Sequence, residues 1–246
     1  MLNRRAFIAA LAAPALVGFK RMTARLALTF DYHPQVVAAR DIMSGVGIYT
    51  ATYYAWYPNI VTGAPTGDQV ALSDLTLMKM LGWEIGAYTN DNMVTKLNNN
   101  RNDANSFLRD LDSGMNTAGF KVATIAPNQR SWSQSLANMA RGRFKGVRVA
   151  DVTTCFQQYP IDDPLYVRNG GAGSWGGADN PTSILARIDA LIADGGLGIE
   201  VIHKVGSVAD GLTISTADFT AIMSGIASRV SSGSLKLVTM EQSLSA

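Results

Sequence analysis

Leu26-Ala27-Leu28-Thr29-Phe30-Asp31-Tyr32-His33 decides how this chain is read. An apolar run stops abruptly on an acid and an imidazole. That pattern fits a buried strand of an α/β domain, which delivers Asp31 and His33 to its carboxyl end, where such folds hold their ligands. The chain has only two histidines, and the second, His203, ends another apolar run, Ile199-Glu200-Val201-Ile202. Two rare titratable groups at two strand ends point to one site.

Outward from this stretch, short apolar segments alternate with amphipathic ones. Strands are expected over 25–30, 46–54, 84–88, 122–126, 147–150, 199–203 and 235–239. Helices are expected over 36–44, 72–81 (with Ser73 as N-cap), 102–118, 133–141 and 216–230. Asn180-Pro181 opens a further helix by the N-cap and first-turn proline rule, and Gly195-Gly196 ends it. The segment 61–68, with Gly63, Pro65 and Gly67, reads as a loop. Strand–helix alternation from end to end argues a parallel sheet, and 246 residues suit a single barrel. The domain is expected over 23–246.

Residues 1–22 differ from the rest. Arg4-Arg5 precedes an Ala-rich apolar stretch from Ala6 to Phe19, with Ala13-Pro14-Ala15 as a small-residue cleavage motif. A basic start followed by a short apolar segment is the pattern of an export signal, here resembling the twin-arginine kind. The alternative is an N-terminal helix that stays attached as an anchor on the domain or a partner. The stretch is too short to span a bilayer as a stable transmembrane segment.

Composition narrows the partners. Lys and Arg number 21 against 19 Asp and Glu, without blocks, so no basic face for nucleic acid is legible. Cys155 is the only cysteine, which excludes an internal disulfide or a cysteine-held zinc; it reads as an inert buried thiol. Nothing in the sequence fixes the oligomeric state.

The order of motifs resembles the polysaccharide deacetylases of the NodB-homology type, the family-four carbohydrate esterases. Thr29-Phe30-Asp31-Tyr32 matches their Thr-Phe-Asp-Asp, and 47–54 their next apolar strand. Gly82-Trp83-Glu84-Ile85-Gly86, then Tyr88-Thr89-Asn90-Asp91-Asn92, matches Gly-His-Glu-Ile-Gly followed by His-Ser/Thr-x-x-His. Ile125-Ala126-Pro127 matches Arg-x-Pro, and Val201-Ile202-His203 matches Leu-x-His; the likeness covers about residues 25–244. It implies a deformed (β/α) barrel and hydrolysis of acyl groups on a polysaccharide or other glycan. The family holds a divalent metal through an Asp and two His, with a neighbouring Asp as base and the late His as acid.

Carried over residue by residue, Asp31 matches the base and His203 the acid. The metal positions fall on Tyr32, Tyr88 and Asn92, which are poor divalent-metal ligands, and the family arginine falls on Ile125. Three readings stay open. A shifted site with zinc or another divalent metal recruits His33 and Asp91 beside Asp31. Alternatively, Asp31 and His203 work without a metal, helped by Tyr88 or Arg130. The third is a catalytically inactive barrel that binds glycan, as on a cell surface or a virion. Structural roles also exist for the pair: Asp31 as a helix cap and His203 as a core histidine.

Tyr32, Trp56, Tyr88, Asn92, Pro127, Arg130, Trp132 and Trp175 are the candidate substrate contacts. Aromatic rings give large apolar area to sugar faces, although core packing explains buried ones equally well and is the reading for Tyr54. The loop 170–177 lacks the Lys-Ser/Thr of a phosphate cradle and reads as a lid or rim.

Overall fold

The computed structural model describes residues 23–56, 70–89, 92–128, 131–153, 156–170, 174–176, 179–207 and 210–245. Its strands are β1 (Ala24–Asp31), β2 (Thr52–Trp56), β3 (Glu84–Thr89), β4 (Thr124–Pro127), β5 (Gly146–Thr153), β6 (Val167–Gly170), β7 (Ser174–Trp175) and β8 (Leu197–Ile202). Two short ones, β9 (Lys204–Val205) and β10 (Thr213–Ile214), follow, and β11 (Leu235–Leu237) is last. Helices α1 (Val36–Gly45), α2 (Leu72–Leu81), α3 (Met93–Asn99), α4 (Arg101–Thr117), α5 (Gln134–Ala140), α6 (Pro181–Asp194), α7 (Thr216–Ser231) and α8 (Met240–Ser243) lie between and after them.

The main sheet runs β6-β5-β4-β3-β2-β1-β8-β7, and the ladders between neighbouring strands are parallel. Strand β1 is long enough for two neighbours on one side: β11 pairs with Ala24–Leu26 and β2 with Thr29–Asp31. The sheet curls until Val167 of β6 packs with Leu197 and Ile199 of β8. This is the expected deformed (β/α) barrel.

Alternation along β1 shows how the sequence builds two layers. Ala24, Leu26, Leu28 and Phe30 join the large core between sheet and helices, whereas Ala27 joins a small core inside the barrel. Successive strand residues face opposite sides, so Thr29 and Asp31 share the inner side with Ala27. The same rule turns Ile125, Val147 and Val149 outward and Tyr54, Tyr88 and Ala126 inward.

Local signals set the helix ends. Asn180 and Ser183 form a reciprocal capping box on α6 with Pro181 in the first turn, and Gly195 ends it at φ 86. Two expectations need correcting. The N-cap of α2 is Ala71, not Ser73, and no side chain caps it. The strand expected over 46–54 is confined to Thr52–Trp56, because 46–51 is the approach from α1 and forms no ladder. Helix α3 was not expected from the sequence; it is only seven residues long, packs Met93, Val94 and Leu97 on the core, and is capped by Asn92. No described helix is long and apolar enough to cross a membrane.

Candidate active site

Parallel register brings the two motif residues together. Phe30 pairs with Ile202, so Asp31 at the end of β1 lies beside His203, just past β8. On the other side Asp31 pairs with Tyr54 of β2. His203 Nε2 lies 3.7 Å from Asp31 Oδ2, an ion-pair distance when the imidazole is protonated. Both side chains are largely buried at the barrel's carboxyl mouth, with Asp31 5% exposed.

The third member is Arg148 of β5, which the sequence reading left out. Its Nη2 donates to Asp31 Oδ1 at 2.5 Å, and its guanidinium lies 4.9 Å from the Tyr54 ring centroid. Arg148 is 2% exposed, so the cation is buried behind the carboxylate it pairs with. Small inner-facing neighbours make room for it. A Cβ on Gly86 would meet the Tyr54 ring at 2.6 Å and the Thr124 carbonyl oxygen at 2.9 Å, so only glycine lets Tyr54 lie there. The signal for Arg148 was present: a lone arginine between Val147 and Val149 in an alternating strand must face inward. Ile125, the family's arginine position, packs outward. The cation instead reaches the acid from the adjacent strand.

Burial favours the neutral form of both imidazoles. Burial lowers the His203 pKa below its ordinary 6.5, reinforced by Arg148 and Lys204 and opposed by Asp31 and Asp210. His33 is pushed down to about 4, first by burial and then by the charges of Lys204 and His203. The two imidazole rings lie 6.0 Å apart, and His33 packs on Tyr32 at 4.2 Å. His203 Nδ1 and Arg148 Nε are buried without a hydrogen-bond partner among the described residues.

The family's metal positions do not fit a divalent cation here. Tyr32 and Tyr88 bring their rings within 4.7 Å of each other. The Tyr88 hydroxyl donates to Asn128 Oδ1 at 3.0 Å, and burial, with Asp31 nearby, holds its pKa far above the ordinary phenol value. A buried phenol that resists ionisation is a weak ligand. Asn92 Oδ1 accepts from the Thr95 N–H at 3.0 Å as a helix cap. No group of three His, Cys, Asp or Glu able to hold a metal occurs among the described residues. Asp91, half of the expected shifted site, lies outside those residues, as do Arg130, Cys155 and the segment 1–22.

The other expected contacts divide. Tyr32, Trp56 and Tyr88 form an aromatic wall at the mouth, with Trp56 at 6.1 Å from Tyr32. Trp175 is a correction: it is fully buried, and its indole N–H donates to Glu200 Oε2 at 2.7 Å. The described part of the expected lid is thus a short strand docked on β8. Pro127 is buried at the end of β4, paired with Thr89, and Asn92 is used as a cap. Trp132 is 6% exposed, with its indole N–H on the Leu165 carbonyl, and does not face Asp31's neighbours. Tyr54 is core, as expected.

No protein-family sequence model matches the chain, and no curated protein matches it in sequence. Solved structures do match. A family 4 acetyl xylan esterase from Clostridium thermocellum, in complex with a cobalt ion, is 15% identical at a TM-score of 0.56, covering 89% of each chain. A peptidoglycan deacetylase from Bacillus subtilis is 16% identical at 0.52, covering 90% of each. A family-four pseudoenzyme from Bacillus anthracis is 15% identical at 0.54, covering 92% of this chain and 66% of its own. The chain therefore has the fold of the family-four polysaccharide deacetylases.

Proposed function

We propose that the barrel mouth is the active centre of a carbohydrate-directed acyl hydrolase in which Asp31 is the base and His203 the acid. The observation that carries this reading is the convergence of these two side chains, from separate strands, with Arg148 holding the carboxylate. Asp31 takes a proton from water as its oxygen bonds to the acyl carbon. The bond to the sugar nitrogen then breaks as His203 gives its proton to that nitrogen, leaving a carboxylic acid and a free amino sugar. Tyr32, Trp56 and Tyr88 offer ring faces to the sugar. No step is assigned to a metal, because Tyr32, Tyr88 and Asn92 form no suitable donor set. The basic-then-apolar start of the chain supports action outside the cytoplasm.

Acetate release from acetylated oligosaccharides tests the proposal. Asp31→Asn and His203→Ala each lower it by about 10²–10⁴-fold, the usual worth of a positioned acid or base. The acid must be protonated, so kcat/KM falls as pH rises through a His203 pKa that burial sets below 6.5. A chelator leaves the rate unchanged. Absence of release by the unaltered protein defeats the reading.

A second reading has its own observation. The Tyr32–Tyr88 contact fills two of the family's ligand positions with rings, which suits recognition of glycan without turnover. It gives saccharide binding that Tyr32→Ala weakens and His203→Ala leaves intact, with no acetate released.

A further inference from the structure

A second cavity, of about 670 Å³, lies beside the β5–β6 edge, and none of Asp31, His203, Tyr32 or Tyr88 lines it. Among the described residues no helix connects β5 to β6, and the connection over 156–166 instead forms one wall. We infer that this cavity is a second saccharide-binding site, taking an uncharged, hydroxyl-rich stretch of a glycan chain. The inference rests on the glycan reading of the mouth and extends it to a separate part of the surface.

The walls combine two kinds of group. Trp132, Phe156 and Tyr166 supply rings, and all three pack in or against the outer core. Trp132 is fixed by its bond to the Leu165 carbonyl at 3.0 Å, and the Arg168 guanidinium lies 5.6 Å from the Tyr166 ring centroid. Gln157 is pinned to β8 by two backbone bonds with Leu197, and its side chain donates to the Arg168 carbonyl. Rings and frame are thus ordered before any ligand arrives, which lowers the cost of binding.

The rim supplies planar hydrogen-bonding groups. Gln134, Gln158 and Asp162 are exposed there, and within the described residues their side chains make no hydrogen bond. Amides and a carboxylate offer paired donors and acceptors at hydroxyl spacing, and flat rings receive the C–H face of a pyranose. Asp162 and Asp163 set against Arg168 leave no strong single-sign field, which favours a neutral ligand over a phosphate or polyanion. The volume falls within the 300–1,000 Å³ range, about that of small-molecule sites.

Calorimetric titration with short chito- and xylo-oligosaccharides tests this in the full chain carrying Tyr32→Ala, Trp56→Ala and His203→Ala, which removes the acid and two of the rings from the mouth and so silences it. Binding is expected to persist, and to weaken at least tenfold when Tyr166→Ala or Asp162→Ala is added. Asp162 is exposed, so its variant keeps the fold. Loss of all saccharide binding in the silenced background, while the unaltered protein still binds or cleaves glycan, overturns the second site and leaves the mouth reading standing. Binding that ignores both added substitutions overturns it as well. If the unaltered protein binds no saccharide and releases no acetate, both readings fall together. Tyr166-dependent binding of short peptides in place of any saccharide overturns the ligand class.

Discussion

Asp31, buried, and Glu84, half-buried, are carboxylates at opposite ends of one barrel, stabilised by different means. Asp31, at the carboxyl mouth, is matched by a cation: Arg148 at 2.5 Å, with His203 at 3.7 Å. Glu84, at the start of β3, is met by dipoles. Oε1 accepts from the Thr124 hydroxyl at 2.5 Å, and Oε2 from the Thr52 hydroxyl at 3.0 Å and the Glu241 N–H at 2.7 Å. That N–H belongs to the first turn of α8, so Glu84 caps a helix that closes the barrel floor. Burial without a cation pushes the Glu84 pKa up. At the open end a carboxylate is paired with a guanidinium; at the other a carboxyl is held by hydrogen bonds alone and closes the barrel.

Breaking the ion pair is the largest test of this contrast. Asp31→Ala leaves the Arg148 guanidinium buried and unmatched, and costs about 3–5 kcal/mol in urea unfolding. Asp31→Ala with Arg148→Met removes both charges, and recovers a substantial part of that loss in a double-mutant cycle. Strict additivity of the two single losses would show that the pair is not coupled.

Gly86→Ala probes the packing that admits Arg148. Its Cβ would sit 2.6 Å from the Tyr54 ring, forcing the ring toward the guanidinium, with an expected loss of about 1–3 kcal/mol. Truncating the ring as well, in Gly86→Ala with Tyr54→Leu, removes the ring clash and leaves only the 2.9 Å approach to the Thr124 carbonyl oxygen. The double variant should lose less stability than the sum of the two single changes.

Glu84→Gln is the mildest change, because hydroxyls and an N–H are served by an amide oxygen, with Thr124 turning to accept. The expected loss is under about 1 kcal/mol at neutral pH. The pH dependence is more telling. A carboxyl whose folded pKa is raised above 4.5 stabilises the protein at low pH, and that contribution is lost as pH rises through the folded pKa. The buried histidines act with the opposite sign between about pH 4 and 6.5, since the native state binds fewer protons there. The difference between the native and Glu84→Gln melting curves therefore shifts toward the variant as pH climbs above 4.5. A constant difference would mean that Glu84 carries no raised pKa.

Much of the fold and part of the site were legible. Asp31 and His203 were readable because each ends an apolar run, and in a parallel sheet run ends meet at one edge. The N-cap and first-turn proline of α6 were readable because caps are local signals. Arg148 was missed although its flanking valines turn it inward, because no local rule says which acid an inward arginine will meet across a barrel. Trp175 was misread for the complementary reason. A glycine-rich neighbourhood implied a loop, yet Glu200, on the strand beside it, drew the indole into the core.

The sequence by itself determined the alternating strand–helix order, the acid and imidazole at two strand ends, and the absence of good metal ligands at the family positions. These follow from side-chain chemistry and period, which are local. Only the tertiary structure decided which charge balances Asp31, that Tyr32 and Tyr88 share the mouth, and that a second cavity opens beside β6. Those depend on the curl and register of the sheet, which bring together residues more than a hundred positions apart, such as Asp31 and Arg148.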